Sequence, residues 1–88
     1  MTAEKTSKIL IVDDNTLDLS LLKAILKDID AAVYTADSGN NALELIENNN
    51  FALAILDIHM PEMDGFELAS CIRNRKDRDL LPIIFLHL

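Results

Sequence analysis

Two rhythms of apolar positions alternate along the chain. Ile9-Leu10-Ile11-Val12 is a short run of apolar, mostly β-branched residues, and it predicts a buried strand. Beyond it, Leu17, Leu21, Leu22, Ile25, Leu26 and Ile29 recur at three- and four-residue spacing, which predicts an amphipathic helix with one broad apolar face. Asn15 offers a side-chain oxygen to the start of that helix. Ala31-Ala32-Val33-Tyr34-Thr35-Ala36 predicts a weaker second strand. Ser38 is placed to cap a second helix, whose apolar side is Ala42, Leu43, Leu45 and Ile46. Asn48-Asn49-Asn50 is expected to stop it through a left-handed C-terminal cap. Phe51-Ala52-Leu53-Ala54-Ile55-Leu56 is apolar throughout and predicts a third strand, buried on both faces. Asp64 is the expected N-cap of a third helix, and Glu67 stands where a capping box needs it. That helix is expected to turn Phe66, Leu68, Ala69 and Ile72 inward, and residues 73–79 form a charged connection. Pro82 opens a fourth apolar run, Ile83-Ile84-Phe85-Leu86, since proline is tolerated as the first residue of a strand.

Strand, helix, strand, helix, strand, helix, strand predicts an α/β fold with helices on both faces of a parallel sheet. Right-handed crossovers bring every strand's C-terminal end to one edge. Ligands of such sheets bind at that edge, where the winding direction reverses. With strand order 2-1-3-4, strands one and three are neighbours across the reversal. Asp13 and Asp14 follow strand one and Asp57 follows strand three, so the three carboxylates are expected to converge. Pro61 adds a rigid loop after Asp57 and biases Met60 toward an extended conformation.

Three carboxylates in one crevice repel one another unless one is protonated or a cation joins them. Oxygen ligands open to water suit Mg2+. The calcium-loop pattern fails from Asp13, because Leu17 occupies a ligand position. Zinc ligands are not expected, with His59 and His87 isolated and Cys71 on a helix. A carboxylate beside Mg2+ can attack a phosphoryl group while the ion neutralises the transferring oxygens. No general base or Ser/His pair is evident, and an ionised nucleophile needs none.

Charge and size narrow the field. The 88 residues make one small domain, able to bury roughly 60–65% of its unfolded surface. Fifteen acidic residues against 8 basic give a net charge of −7, which argues against this domain holding nucleic acid. Cys71 is the single cysteine, so no internal disulfide forms. No signal peptide is expected, no apolar run reaches transmembrane length, and the expected location is cytoplasmic.

On these residues the chain resembles the receiver domain of two-component response regulators. Ile9 to Asp14 resembles the family's first strand and acidic pair, and Leu56-Asp57-Ile58-His59-Met60-Pro61-Glu62-Met63-Asp64-Gly65 resembles its phosphoacceptor segment. Leu81-Pro82-Ile83-Ile84-Phe85-Leu86 resembles its fourth strand. The resemblance implies a flavodoxin-like three-layer α/β/α sandwich, one receiver domain over residues 1–88 that is C-terminally incomplete. It implies that Asp57 accepts a phosphoryl group from a histidine kinase or phosphotransfer protein and signals to an output domain or protein. Asp13, Asp14, Asp57 and the backbone carbonyl of His59 would hold Mg2+. The His59 side chain would be incidental. Such a module is not a dedicated enzyme, although Mg2+-dependent self-phosphorylation from a phosphodonor is expected.

The chain departs from the family pattern at its end. His87 stands where the family usually has Ser or Thr, and Leu88 where it has a small residue. The fifth strand, the phosphate-binding lysine and the last two helices are missing, so truncation is expected. The apolar fourth strand is then an edge that a longer chain or a second copy should cover. The alternative function is a receiver-like interaction module that is not phosphorylated. A hydrolase-type phosphatase would want a second carboxylate two residues after Asp57, where His59 stands. A flavin or nucleotide carrier would want a Gly-, Ser- or Thr-rich loop after strand one.

Overall fold

The computed structural model describes residues 6–75 and 80–87. Four strands and three helices alternate: β1 Ser7–Val12, α1 Thr16–Ile25, β2 Ala31–Ala36, α2 Gly39–Asn48, β3 Leu53–Asp57, α3 Gly65–Arg73 and β4 Ile83–Leu86. The strands form one sheet in the order β2-β1-β3-β4. Every pair is parallel, with Val12 opposite Ala36 and Leu56, and Asp57 opposite Leu86. The chain steps from β1 outward to β2, then back across β1 to β3 and on to β4. Right-handed crossovers therefore place α1 on one face and α2 with α3 on the other.

The face under α2 and α3 is closed. Leu10 and Val12 of β1 and Ala54 and Leu56 of β3 alternate onto it, as a two-residue period requires. Ala42 and Ile46 of α2 and Leu68 and Ile72 of α3 meet them, all fully buried. Each large aliphatic side chain so covered contributes about 1.5–3 kcal/mol. Ile9 and Ile11 point to the α1 face and are buried as well.

Local signals in the sequence fix most of the helix ends. The Asn15 side chain accepts from the N–H groups of Leu17 and Asp18, and the Ser38 hydroxyl accepts from Asn41 N–H. Asp64 and Glu67 complete the capping box, at 2.8 and 3.1 Å. The end of α2 differs from expectation. Asn49 is extended, with φ −142°, rather than left-handed. The amides of Asn48 and Asn49 instead donate to the carbonyls of Glu44 and Leu45, capping the helix with side chains.

Three expectations about burial are corrected. No residue of α1 is fully buried; Leu17, Leu21, Ile25 and the following Ile29 face outward, while Leu22 and Leu26 are half-buried. Phe66 is not turned inward but is 53% exposed, its ring 4.8 Å from that of Phe85 on β4. β3 is buried on one face only, since Leu53 and Ile55 remain half-covered where no helix sits over them. The charged connection runs mostly through residues 76–79, outside the described residues, as is Leu88.

Candidate functional site

Asp13 is the first residue after β1 and Asp57 is the last of β3. Because Val12 and Leu56 are register partners, the next residue of each strand emerges side by side at the sheet edge. Asp14 joins them, and one carboxylate oxygen from each lies within 4.8 Å of the others. Among the described residues this is the one cluster of three or more acidic, histidine or cysteine groups able to share an ion. The three sequence-predicted carboxylates are thus brought together.

Their surroundings differ. Asp13 is 2% exposed, Asp57 is half-buried and Asp14 is exposed. The N–H of Asn15 donates to Asp13 Oδ1 at 2.9 Å, and the N–H of His59 donates to Asp57 Oδ1 at 3.2 Å. Burial pushes the Asp13 carboxyl up to about 6, the Asn15 N–H opposes that, and the charges of Asp57 and Asp18 raise it further. The donor set fits Mg2+: three oxygen ligands, one of them open to solvent, with the mutual repulsion that a hard cation relieves.

The loop after Asp57 is held at both ends. Gly65 N–H donates to the Ile58 carbonyl at 3.0 Å, which brings the start of α3 against the end of β3. A Cβ at Gly65 would collide with the Asp57 carbonyl oxygen, so only glycine allows this approach. Between them, Met63 N–H donates to the Pro61 carbonyl at 2.7 Å across Glu62, whose φ is +68°. That is a γ-turn, a strained way of reversing the chain. Ile58 N–H donates to the Leu86 carbonyl at 3.0 Å and ties the loop to the end of β4.

One arrangement escaped the sequence. His59 and His87 are not isolated; their ring centres lie 4.6 Å apart with planes at 70°. The strand order contained the signal, since parallel β3 and β4 in register place the residues after each strand beside one another.

The family model of the response regulator receiver domain matches residues 9–87. Transcriptional regulatory protein SrrA of Staphylococcus aureus is 40% identical over 81 residues, 92% of this chain and 32% of that protein. Hybrid signal transduction histidine kinase B of Dictyostelium discoideum is 36% identical over 79 residues, 90% of this chain but 4% of that one. The chain therefore spans a third or less of these relatives. Among solved structures, chemotaxis protein CheY4 of Vibrio cholerae superposes with a TM-score of 0.87 at 31% identity, covering 92% of this chain and 68% of its own. Response regulator TrrA of Thermotoga maritima, solved in complex with Mg2+ and BeF, gives 0.85 at 38% identity, covering 93% and 70%. The four-stranded sheet and its three helices thus match the flavodoxin-like fold of the CheY-like receivers.

Proposed function

This chain belongs to the response regulator receiver domain family, and from that premise we propose that it is a phosphoacceptor switch with Asp57 as the acceptor. The observation that carries the reading is the convergence of Asp13, Asp14 and Asp57 at the C-terminal edge of β1 and β3. Asp13, Asp14 and Asp57 hold Mg2+, joined by the backbone carbonyl of His59. When bound, the ion neutralises charge on the transferring oxygens. Asp57 acts as an ionised nucleophile. Its free carboxylate oxygen forms a bond to phosphorus as the bond to the donor's imidazole nitrogen breaks, and that nitrogen takes up a proton. The N–H of His59 holds the other oxygen and so aims the attacking one.

The donor is a histidine kinase or phosphotransfer protein, and the recipient of the signal is an output domain or protein. The relatives are a transcriptional regulator and a hybrid kinase, which use such domains in both contexts. The domain works in the cytoplasm without touching nucleic acid itself, in keeping with its net charge of −7. No helix among the described residues is long and apolar enough to cross a membrane. Among the described residues β4 is an edge strand with Ile84 50% exposed, and either a longer chain or a second copy of β4 covers it. Sedimentation at rising concentration tests the second copy; a monomer throughout would exclude such pairing.

Intact-mass spectrometry after incubation with a small acyl phosphate and Mg2+ tests the switch. One added phosphoryl is expected, absent in Asp57→Asn. An adduct persisting in that variant would mean another nucleophile. A second reading rests on His87, which stands where the family pattern has a hydroxyl: a receiver-like interaction module without phosphorylation. No adduct in either protein would favour it.

A further inference from the structure

The two histidines at the mouth of the crevice offer a donor set unlike the carboxylates beside them. His59 lies two residues past β3 and His87 directly follows β4. The bond from Ile58 N–H to the Leu86 carbonyl is the last rung between these segments, and it fixes the backbones that carry both rings. Both residues are exposed, so their nitrogens are open to solvent and to an incoming ion. The ring centres are 4.6 Å apart. Two imidazoles that share a tetrahedral ion through nitrogens about 2.1 Å from it hold their ring centres about 5 Å apart. The observed spacing is close to that, and both side chains are exposed, with rotamer freedom to turn toward a shared ion.

We propose that His59 and His87 form a binding site for one borderline-soft divalent cation of the Zn2+ class, beside the carboxylate triad and through side-chain nitrogens that the triad does not use. Imidazole nitrogen selects this class, whereas the triad's oxygens select hard ions such as Mg2+. Water completes the coordination at so exposed a position. The ion links the loop after β3 to the end of β4, the two segments that flank Asp57. The crevice mouth thus has two neighbouring ion positions of opposite preference. The site stands or falls without reference to phosphoryl transfer.

Calorimetric titration of Zn2+ into the 88-residue chain, with Mg2+ held at saturation, tests it. One Zn2+ per chain is expected. His59→Gln and His87→Gln should each weaken it on the order of tenfold or more, since each removes one of two protein donors. The double variant should show no such binding. In parallel, imidazole NMR signals of both histidines should shift together when Zn2+ is added to the Mg2+-saturated chain. Both side chains are exposed, so the variants keep the fold, and circular dichroism checks that they do. Zn2+ binding of undiminished affinity in the double variant, or binding that Mg2+ displaces, would place the ion in the carboxylates and overturn the site. Titration of Zn2+ that shifts one imidazole and not the other would overturn it equally.

Discussion

The two faces of the sheet are built from similar apolar patterns and end up differently. On one face, α2 and α3 each bury three residues, and Leu10, Val12, Ala54 and Leu56 are sealed beneath them. On the other, α1 is the one helix among the described residues, buries no residue fully, and leaves Leu21 54% exposed. Yet α1 carries more large aliphatic residues than either α2 or α3. Apolar content thus does not decide burial; the number of elements packed against a face does. The closed face has a rigid layer that fixes where β3 ends and Asp57 emerges. The open face contributes to the site mainly through its loop, where Asn15 caps α1 and binds Asp13.

The sharpest way to break this contrast is to truncate one side chain on each face. Leu68→Ala, on the closed face, should cost about 2–5 kcal/mol, whereas Leu21→Ala, on the open one, should stay within about 0.5 kcal/mol. Urea unfolding of the two variants measures both. Equal losses would mean that α1 is as firmly packed as α3.

Asp13 sharpens the contrast at the edge where the faces meet. Its folded carboxyl titrates near 6, above its unfolded value of 3.8. The folded state therefore binds the proton more tightly, and this residue's contribution is most favourable below pH 3.8. Stability should fall as pH rises from 3.8 through about 6, by a total on the order of 3 kcal/mol. This slope is opposite to that of an ion-paired carboxylate. Asp13→Asn should remove that slope in thermal melts at a series of pH values without Mg2+. Added Mg2+ should restore stability above pH 6, where the carboxylate is ionised.

Gly65 tests whether the closed face also shapes the surroundings of Asp57. Gly65→Ala forces its Cβ against the Asp57 carbonyl, and the start of α3 must back away. A loss of about 1–3 kcal/mol is expected, with slower phosphoryl uptake by mass spectrometry. Unchanged stability would show that α3 has room to move. The smallest effect belongs to Glu62, held at φ +68°. Glu62→Gly should raise stability by up to about 1 kcal/mol in the same urea assay, because glycine adopts that conformation at little steric cost. A loss would mean that the Glu62 side chain contributes more than the turn costs.

Features set by neighbours in the chain were legible in the sequence. The N-caps at Asn15, Ser38 and Asp64 involve partners two or three residues away, and all formed as expected. The alternation of elements implied a parallel sheet with helices on both faces, and with the order β2-β1-β3-β4 it implied the meeting of Asp13, Asp14 and Asp57. Features set by distant partners were not. The helical period identified the apolar stripe of α1 but not what would cover it. Phe66 looked like a core residue by spacing, but it stands at the first turn of α3 and meets Phe85 instead. The pairing of His59 with His87 spans β3 and β4, so neither residue's own neighbourhood announces it. The Asn48–Asn50 run did stop α2, though by side-chain bonds to Glu44 and Leu45 in place of a left-handed backbone.

Helix α3 is fastened at both ends. Its first residue, Gly65, bonds to the Ile58 carbonyl beside Asp57, and near its last turn Arg73 Nη1 donates to the Leu81 carbonyl at 2.5 Å, just before β4. A rod of 9 residues fastened this way has a length of about 13 Å. Pushing on one end displaces the other rather than bending the middle. Helix α3 thus joins the end of β3 to the start of β4, and amide exchange along α3 should slow or quicken as one unit when the charge at Asp57 is changed by Asp57→Asn.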